Sequence, residues 1–180
     1  MAQFTQKAII GTFIELLEKK PFDKITVSEI IKKCEISTNT FYYHFQDIYE
    51  LLDTCLEIEK NRFIKNTDKY KNQREMIKAM LHDIKDNKKI VYHICDSLSR
   101  DRLERYIFES SDESIYNYVK EKTSGKNVSE ERLNDITDMC RYVFLGFFLK
   151  YLWSQMSFDI DETIDRLSIL FDRLIDCGSD

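Results

Sequence analysis

Ile25-Thr26-Val27-Ser28-Glu29-Ile30-Ile31-Lys32-Lys33-Cys34, then Glu35-Ile36-Ser37, then Thr38-Asn39-Thr40-Phe41-Tyr42-Tyr43-His44-Phe45, reads as two short helices with room between them only for a tight turn. Thr26 and Glu29 form a capping box: the threonine hydroxyl accepts from the Glu29 backbone N–H, and the Glu29 carboxylate reaches back. Val27, Ile30, Ile31 and Cys34 recur at helical spacing and are expected inside. Ser37 is an N-cap for the helix from Thr38 to about Phe45. Phe41 and Phe45, four apart, share its inner face. Thr38, Asn39, Thr40, Tyr42, Tyr43 and His44 are left for the outer one.

Upstream, Ile9, Phe13, Leu16 and Leu17 give a first helix one apolar face, which Pro21 ends. Downstream, Asp47 repeats the cap logic and opens a fourth helix from Ile48. Three helices within about 45 residues, with a short turn between the second and third, match a helix-turn-helix. The third helix has the side chains for reading DNA. Asparagine and small hydroxyls bond base edges, and a threonine methyl or tyrosine ring packs on a thymine methyl. A tyrosine hydroxyl, an imidazole and the N–H groups of a helix start suit phosphate oxygens. No Lys or Arg lies between Thr38 and Phe45, so longer-range attraction falls to Lys24, Lys32 and Lys33.

The whole chain of 180 residues holds four glycines and one proline, too few turn residues for a sheet protein, so an all-α fold is expected. Net charge is −5, but residues 1–48 carry six lysines against six acidic residues, a neutral head on an acidic body. Five cysteines, Cys34, Cys55, Cys95, Cys140 and Cys177, include no CxxC pair and read as reduced, mostly buried thiols of a cytoplasmic protein. No stretch has the ~18 apolar residues of a membrane span. A nucleophile elbow and a glycine-rich phosphate loop are both missing, so no catalysis and no cofactor are expected. His82, Asp86, His93, Cys95 and Asp96 are spaced too loosely for a metal and are expected as solvated polar faces.

The segment Ile25–Ile31 followed by Ser37–Phe45 resembles the N-terminal signature of the TetR/AcrR family of transcriptional regulators, the run Phe41-Tyr42-Tyr43-His44-Phe45 being its most specific part. The likeness covers about residues 5–55. Phe45-x-Asp47-Ile48-Tyr49-x-Leu51-Leu52, with Gly146 and Trp153, is similar to a Firmicute-type subgroup that includes dihydroxyacetone-kinase operon regulators. The resemblance implies about nine helices: a helix-turn-helix domain over 1–47 and a helical regulatory and dimerisation domain over 48–180. It places Thr38 and Asn39 on bases, Tyr42 on base or backbone, His44 on phosphate, and Thr26 on another backbone position; Lys24, Ser37, Thr40 and Tyr43 complete the expected DNA-facing set. Two positions depart from the family pattern. Glu35 stands where the turn usually has glycine, so a non-glycine must take the turn geometry. Ile48 stands where a lysine usually meets phosphate, which lowers the expected salt slope by about one unit.

The partners implied are double-stranded operator DNA, a second copy of the chain, and an effector that is a small molecule or a protein. Helices eight and nine are expected to pair with their copies through Phe144, Phe147, Phe148, Tyr151, Leu167, Leu170, Phe171 and Leu174. Tyr92, Tyr106, Phe108, Tyr116 and Trp153 are candidates for lining an effector pocket, which needs apolar walls and a few polar anchors. Repression is the expected output.

Overall fold

The computed structural model describes residues 2–65 and 69–178. Those residues form nine α-helices and no strand: α1 (Ala2–Leu17), α2 (Val27–Cys34), α3 (Thr38–His44), α4 (Ile48–Ile64), α5 (Gln73–Asp86), α6 (Lys88–Cys95), α7 (Arg100–Lys122), α8 (Glu130–Trp153) and α9 (Ile160–Gly178). A 3-10 turn at Phe22–Lys24 links α1 to α2. The all-α fold expected from the scarcity of glycine and proline is the one found.

The chain divides into two compact units. One, the head unit, comprises residues 1–66 and 87–99; the other, the body unit, comprises residues 67–86 and 100–180. Packing divides the chain elsewhere than the expected boundary at 47/48, because α4 and α6 share the core of the first three helices. In that head unit Ile9, Phe13, Phe22, Ile30, Phe41, Phe45, Leu51, Leu52 and Ile94 are buried together, with Ile90 and Leu98 packed against them. Phe13 meets Phe22 edge-on at 6.1 Å between ring centroids, and Phe41 meets Phe45 at 5.9 Å. His93 of α6 places Nδ1 2.6 Å from the Leu17 carbonyl oxygen. An Nδ1–H donor there satisfies a carbonyl that the end of α1 would otherwise leave open.

In the body unit α7 lies along α8, and α5 and α9 pack against each other. Val119, Leu133, Ile136, Cys140 and Ile175 form one buried cluster. Lys78 of α5 bonds Asp165 of α9 at 2.7 Å, and the Tyr118 hydroxyl of α7 donates to Asp172 of α9 at 2.7 Å. Side-chain caps set the starts of the long helices: Ser129 accepts from the Arg132 N–H at 3.2 Å, and Asp159 from the Glu162 N–H at 2.8 Å. At the corner after α8, Gln155 (φ 54°) and Met156 (φ 56°) are both left-handed. The buried Met156 side chain and a bond from its N–H to the Tyr151 carbonyl hold that turn.

Candidate nucleic-acid interface

The geometry of α2 and α3 follows from their caps. The Thr26 hydroxyl accepts from the Glu29 N–H at 3.3 Å, the first half of the expected capping box. The second half is replaced: the Glu29 carboxylate pairs with the Lys20 ammonium and so ties the start of α2 to the end of α1. Helix α2 ends where Glu35 turns left-handed (φ 53°, ψ 39°) and its N–H bonds the Ile31 carbonyl. The Ile36 N–H bonds the same carbonyl at 3.2 Å, and the Ile36 side chain packs on the head core. These bonds close the helix in a Schellman-like stop and impose φ > 0 on a residue with a Cβ.

Ser37 then caps α3, its Oγ accepting from the Thr40 N–H at 3.0 Å and sharing a 2.7 Å hydrogen bond with the Thr40 hydroxyl. Thr40 is thus half-buried and engaged, while Thr38 and Asn39 are exposed on the first turn. Phe41 and Phe45 are sealed in the core. They leave Tyr42 53% and Tyr43 78% exposed, high values for rings of that size. His44 is half-buried, edge-on to Tyr43 at 5.1 Å. Seven residues therefore present one wet polar and aromatic face and bury the other.

Lys24 pairs with Asp23 at 3.0 Å. That contact holds the Asp23 carboxyl below the usual range; the hydrogen bond from Lys24 outweighs the opposing loss of hydration. At the start of α4 the Asp47 carboxylate accepts from the N–H groups of Tyr49 (2.8 Å) and Glu50 (2.9 Å), and Glu50 takes the Gln46 N–H. Carboxylates occupy that helix start, which Ile48 leaves without a lysine. The joining of α6 to the head was not read from sequence. Its stripe Ile90, Ile94 and Leu98 marks an apolar face without saying which core the face enters.

Of the five candidate pocket aromatics, Tyr92 belongs to the head unit and the other four to the body. Phe108 lies beneath the Arg141 guanidinium at 3.7 Å and against Tyr142. The Tyr116 hydroxyl donates to Glu130 at 2.9 Å, Tyr106 is half-buried on α7, and Trp153 is 69% exposed. Of the expected pairing residues, Tyr151 is a core residue instead. It is fully buried and its hydroxyl donates to the Leu81 carbonyl at 3.3 Å, in an aromatic cluster with Phe147, Phe148 and Phe158. Phe144, Leu167, Phe171 and Leu174 are half-buried, and Leu170 is 54% exposed. The large side chains that face outward on α8 are Met139, Tyr142, Val143 and Trp153, with the exposed Gly146 between them. On α9, Ile169 is exposed beside Leu170.

Burial holds the thiols of Cys55 and Cys95 up to about 12 and that of Cys140 to about 11, so all three stay protonated at neutral pH. All five cysteines are free; Cys55 and Cys140 are buried, Cys34 and Cys95 half-buried, and Cys177 exposed. Among the described residues no group of three or more His, Cys, Asp or Glu side chains could hold a metal ion. No helix there is long and apolar enough to cross a membrane.

A capped helix-turn-helix presenting an exposed polar and aromatic helix defines a class: DNA-binding transcriptional regulators. The comparisons narrow it. Residues 9–55 match the family profile described as bacterial regulatory proteins, tetR family, and residues 71–173 match one described as transcriptional regulator C-terminal region. The chain belongs to the TetR family of transcriptional regulators. Over 74 residues it is 35% identical to the HTH-type dhaKLM operon transcriptional activator DhaS of Lactococcus lactis subsp. lactis (strain IL1403); the match spans 41% of this chain and 40% of that relative. The solved structure of the dihydroxyacetone kinase operon activator DhaS superposes with a TM-score of 0.72 at 18% identity, covering 98% of each chain. That of a TetR transcriptional regulator from Streptococcus agalactiae 2603V gives 0.66 at 18% identity, covering 97% of this chain and 94% of the other. These neighbours share the fold, and they are regulators, not enzymes.

Proposed function

We propose that the chain is a cytoplasmic, sequence-specific DNA-binding regulator that grips its operator as a homodimer and answers to an effector of the body unit. The observation that carries this reading is α3 itself. Phe41 and Phe45 anchor it from below, while Thr38, Asn39, Tyr42 and Tyr43 stand exposed, the two tyrosine rings touching only neighbours on α3 among the ring contacts. A pair of such helices in successive major grooves requires reading heads about 34–36 Å apart. The exposed stripe on α8 with Ile169 and Leu170 on α9 supports the homodimer, because apolar area left in water costs about 25 cal/mol per Å².

In this reading Thr38 and Asn39 meet base edges and Tyr42 base or backbone. Tyr43, His44 and Thr26 meet phosphate, and Ser37 and Thr40 hold the helix start in register. Lys24 contributes charge already shared with Asp23. The effector, a small molecule or a protein, acts by changing the spacing of the two heads, a shift between states that differ in operator affinity.

Repression follows from an operator that overlaps a promoter. Activation is the second reading, favoured by the name of the relative that is 35% identical over 74 residues. Selecting bound sites from genomic fragments with the purified protein, then following the adjacent genes in a deletion strain, tests both. Derepressed genes support the first reading and silenced ones the second. Tyr42→Ala and Asn39→Ala should each lose about 1–3 kcal/mol of operator affinity while folding and dimerising normally. Parental affinity in both variants would remove α3 from the role of reader.

A further inference from the structure

Three described non-glycine residues have a left-handed backbone, Glu35, Gln155 and Met156, and Glu35 alone lies in the head unit. Its place makes it informative. It is exposed and stands at the elbow between α2 and α3, two residues before the Ser37 cap. Two bonds to the Ile31 carbonyl and the packing of Ile36 hold the φ of 53°. A glycine would meet the same geometry without strain. The glutamate also adds a negative charge, and the chain can span no more than about 10 Å from it to Thr38. That distance is about one Debye length at ~0.1 M salt, so the carboxylate acts on any phosphate touching the first turn of α3. Helix dipoles do not account for it, since Glu35 sits between the negative end of α2 and the positive end of α3.

Lys20 is committed to Glu29 and Lys24 to Asp23, so the exposed Lys32 and Lys33 on the last turn of α2 are the nearby cations whose attraction for phosphate Glu35 opposes. We propose that Glu35 is an affinity-limiting residue. Its charge holds down sequence-independent attraction to the phosphate backbone, so that binding depends on base contacts made by α3. Discrimination between sites is a ratio of specific to generic affinity. A repulsive charge felt at every site lowers all affinities by the same factor, so generic complexes drop out at working concentrations while sites that add base contacts stay occupied.

This inference rests on the DNA-binding reading, and the experiment separates the two. The full-length protein is titrated into a labelled generic duplex, long enough for both heads, at low and at moderate salt. The parent is compared with Glu35→Gln, Glu35→Lys and Glu35→Gly. Glu35→Gln keeps the side-chain shape and the backbone strain, so it isolates the charge. It should bind about three- to tenfold tighter at low salt, the Lys variant tighter still, and both gains should shrink as salt rises. Glu35→Gly should show the same gain as Gln and in addition melt up to about 4 °C higher, the release of strain exceeding the unfolded-state entropy that glycine adds. Gln and Lys variants indistinguishable from the parent at low salt would overturn the proposal. So would a gain confined to the Gly variant, which would trace the effect to backbone freedom. A parent and a Lys variant that both fail to bind any duplex at low salt would refute the DNA-binding reading itself.

Discussion

The head and the body of this chain solve burial differently. In the head most large apolar side chains of α1 to α4 and α6 go inside, Phe4 of α1 and Ile58 of α4 being exposed exceptions, and the exposed rings of α3 stand among polar neighbours on a helix otherwise anchored. The body also has a packed interior, around Ile136, Cys140 and Ile175 and around Tyr151. Yet it leaves Tyr142, Val143, Trp153, Ile169 and Leu170 in water on its two last helices. A helix that is apolar on more than its core face needs something beyond one chain to cover it. The head exposes rings on one short polar helix; the body exposes apolar side chains along its two last helices.

The sharpest way to break that contrast is to charge the outer face of the body. Leu170→Asp should leave the isolated chain folded, because the side chain is exposed. Across a twofold seam the loss is counted twice at about 1.5–3 kcal/mol per leucine, so association should weaken by about 10²–10⁴-fold. Sedimentation against concentration measures this, and the emission of Trp153, the single tryptophan, should lie further to the red in the variant. An unchanged dimer would move the seam elsewhere. In the head the matching test is inward. Phe41→Ala removes a fully buried ring and should cost about 3–5 kcal/mol, enough to unfold the head. Circular dichroism melting would then split into two transitions, with the body retained in the later one. A single cooperative shift would mean the two units melt together.

Much of the head could be read from residues close in sequence. The caps at Thr26, Ser37 and Asp47, the stop after Cys34 and the inward pair Phe41 and Phe45 are all local matters, settled within four residues by hydrogen bonding or helical period. The exposed reading face followed by subtraction. What escaped depends on partners far along the chain. Glu29 could be read as reaching back to Thr26, but Lys20, nine residues upstream, claims its carboxylate. Tyr151 is expected at the seam and Trp153 in a pocket, two residues apart on one strongly apolar helix. Only the fold puts the first against Leu81 and the second in water. Likewise the stripe on α6 has no sequence mark that sends it to the core of α1.

Strain offers a gentler comparison. Both units hold left-handed residues with side chains, but Met156 is buried and irreplaceable by glycine without a cavity, while Gln155 is exposed. Relief of left-handed strain, about 1–2 kcal/mol, exceeds the about 0.4–1 kcal/mol of unfolded-state entropy that glycine adds, so Gln155→Gly should stabilise the chain by up to about 1 kcal/mol, read as a small rise in melting temperature. A fall would mean that the Gln155 side chain stabilises the corner by more than its backbone costs.

Acid separates the units by the least. Partial burial alone would raise the Asp172 carboxyl, but the Tyr118 hydroxyl and the Lys122 ammonium more than reverse this and leave it below the ordinary range. A carboxyl depressed in the folded state stabilises fully above its unfolded value, ~3.9, and that contribution is lost as pH falls through the folded value. Asp23 in the head is depressed too, but it is paired in full solvent, where an ion pair contributes little. Acid should thus loosen the tie between α7 and α9 before it touches the head. Asp172→Asn removes the titrating group, so the variant should be slightly less stable than the parent at neutral pH. Its stability should decline less steeply below pH ~4, the two curves converging towards the acid end. Melting temperatures followed from neutral pH downwards read this directly, and parallel curves would show that Asp172 is solvated in the folded chain and takes no part in holding α9 to α7.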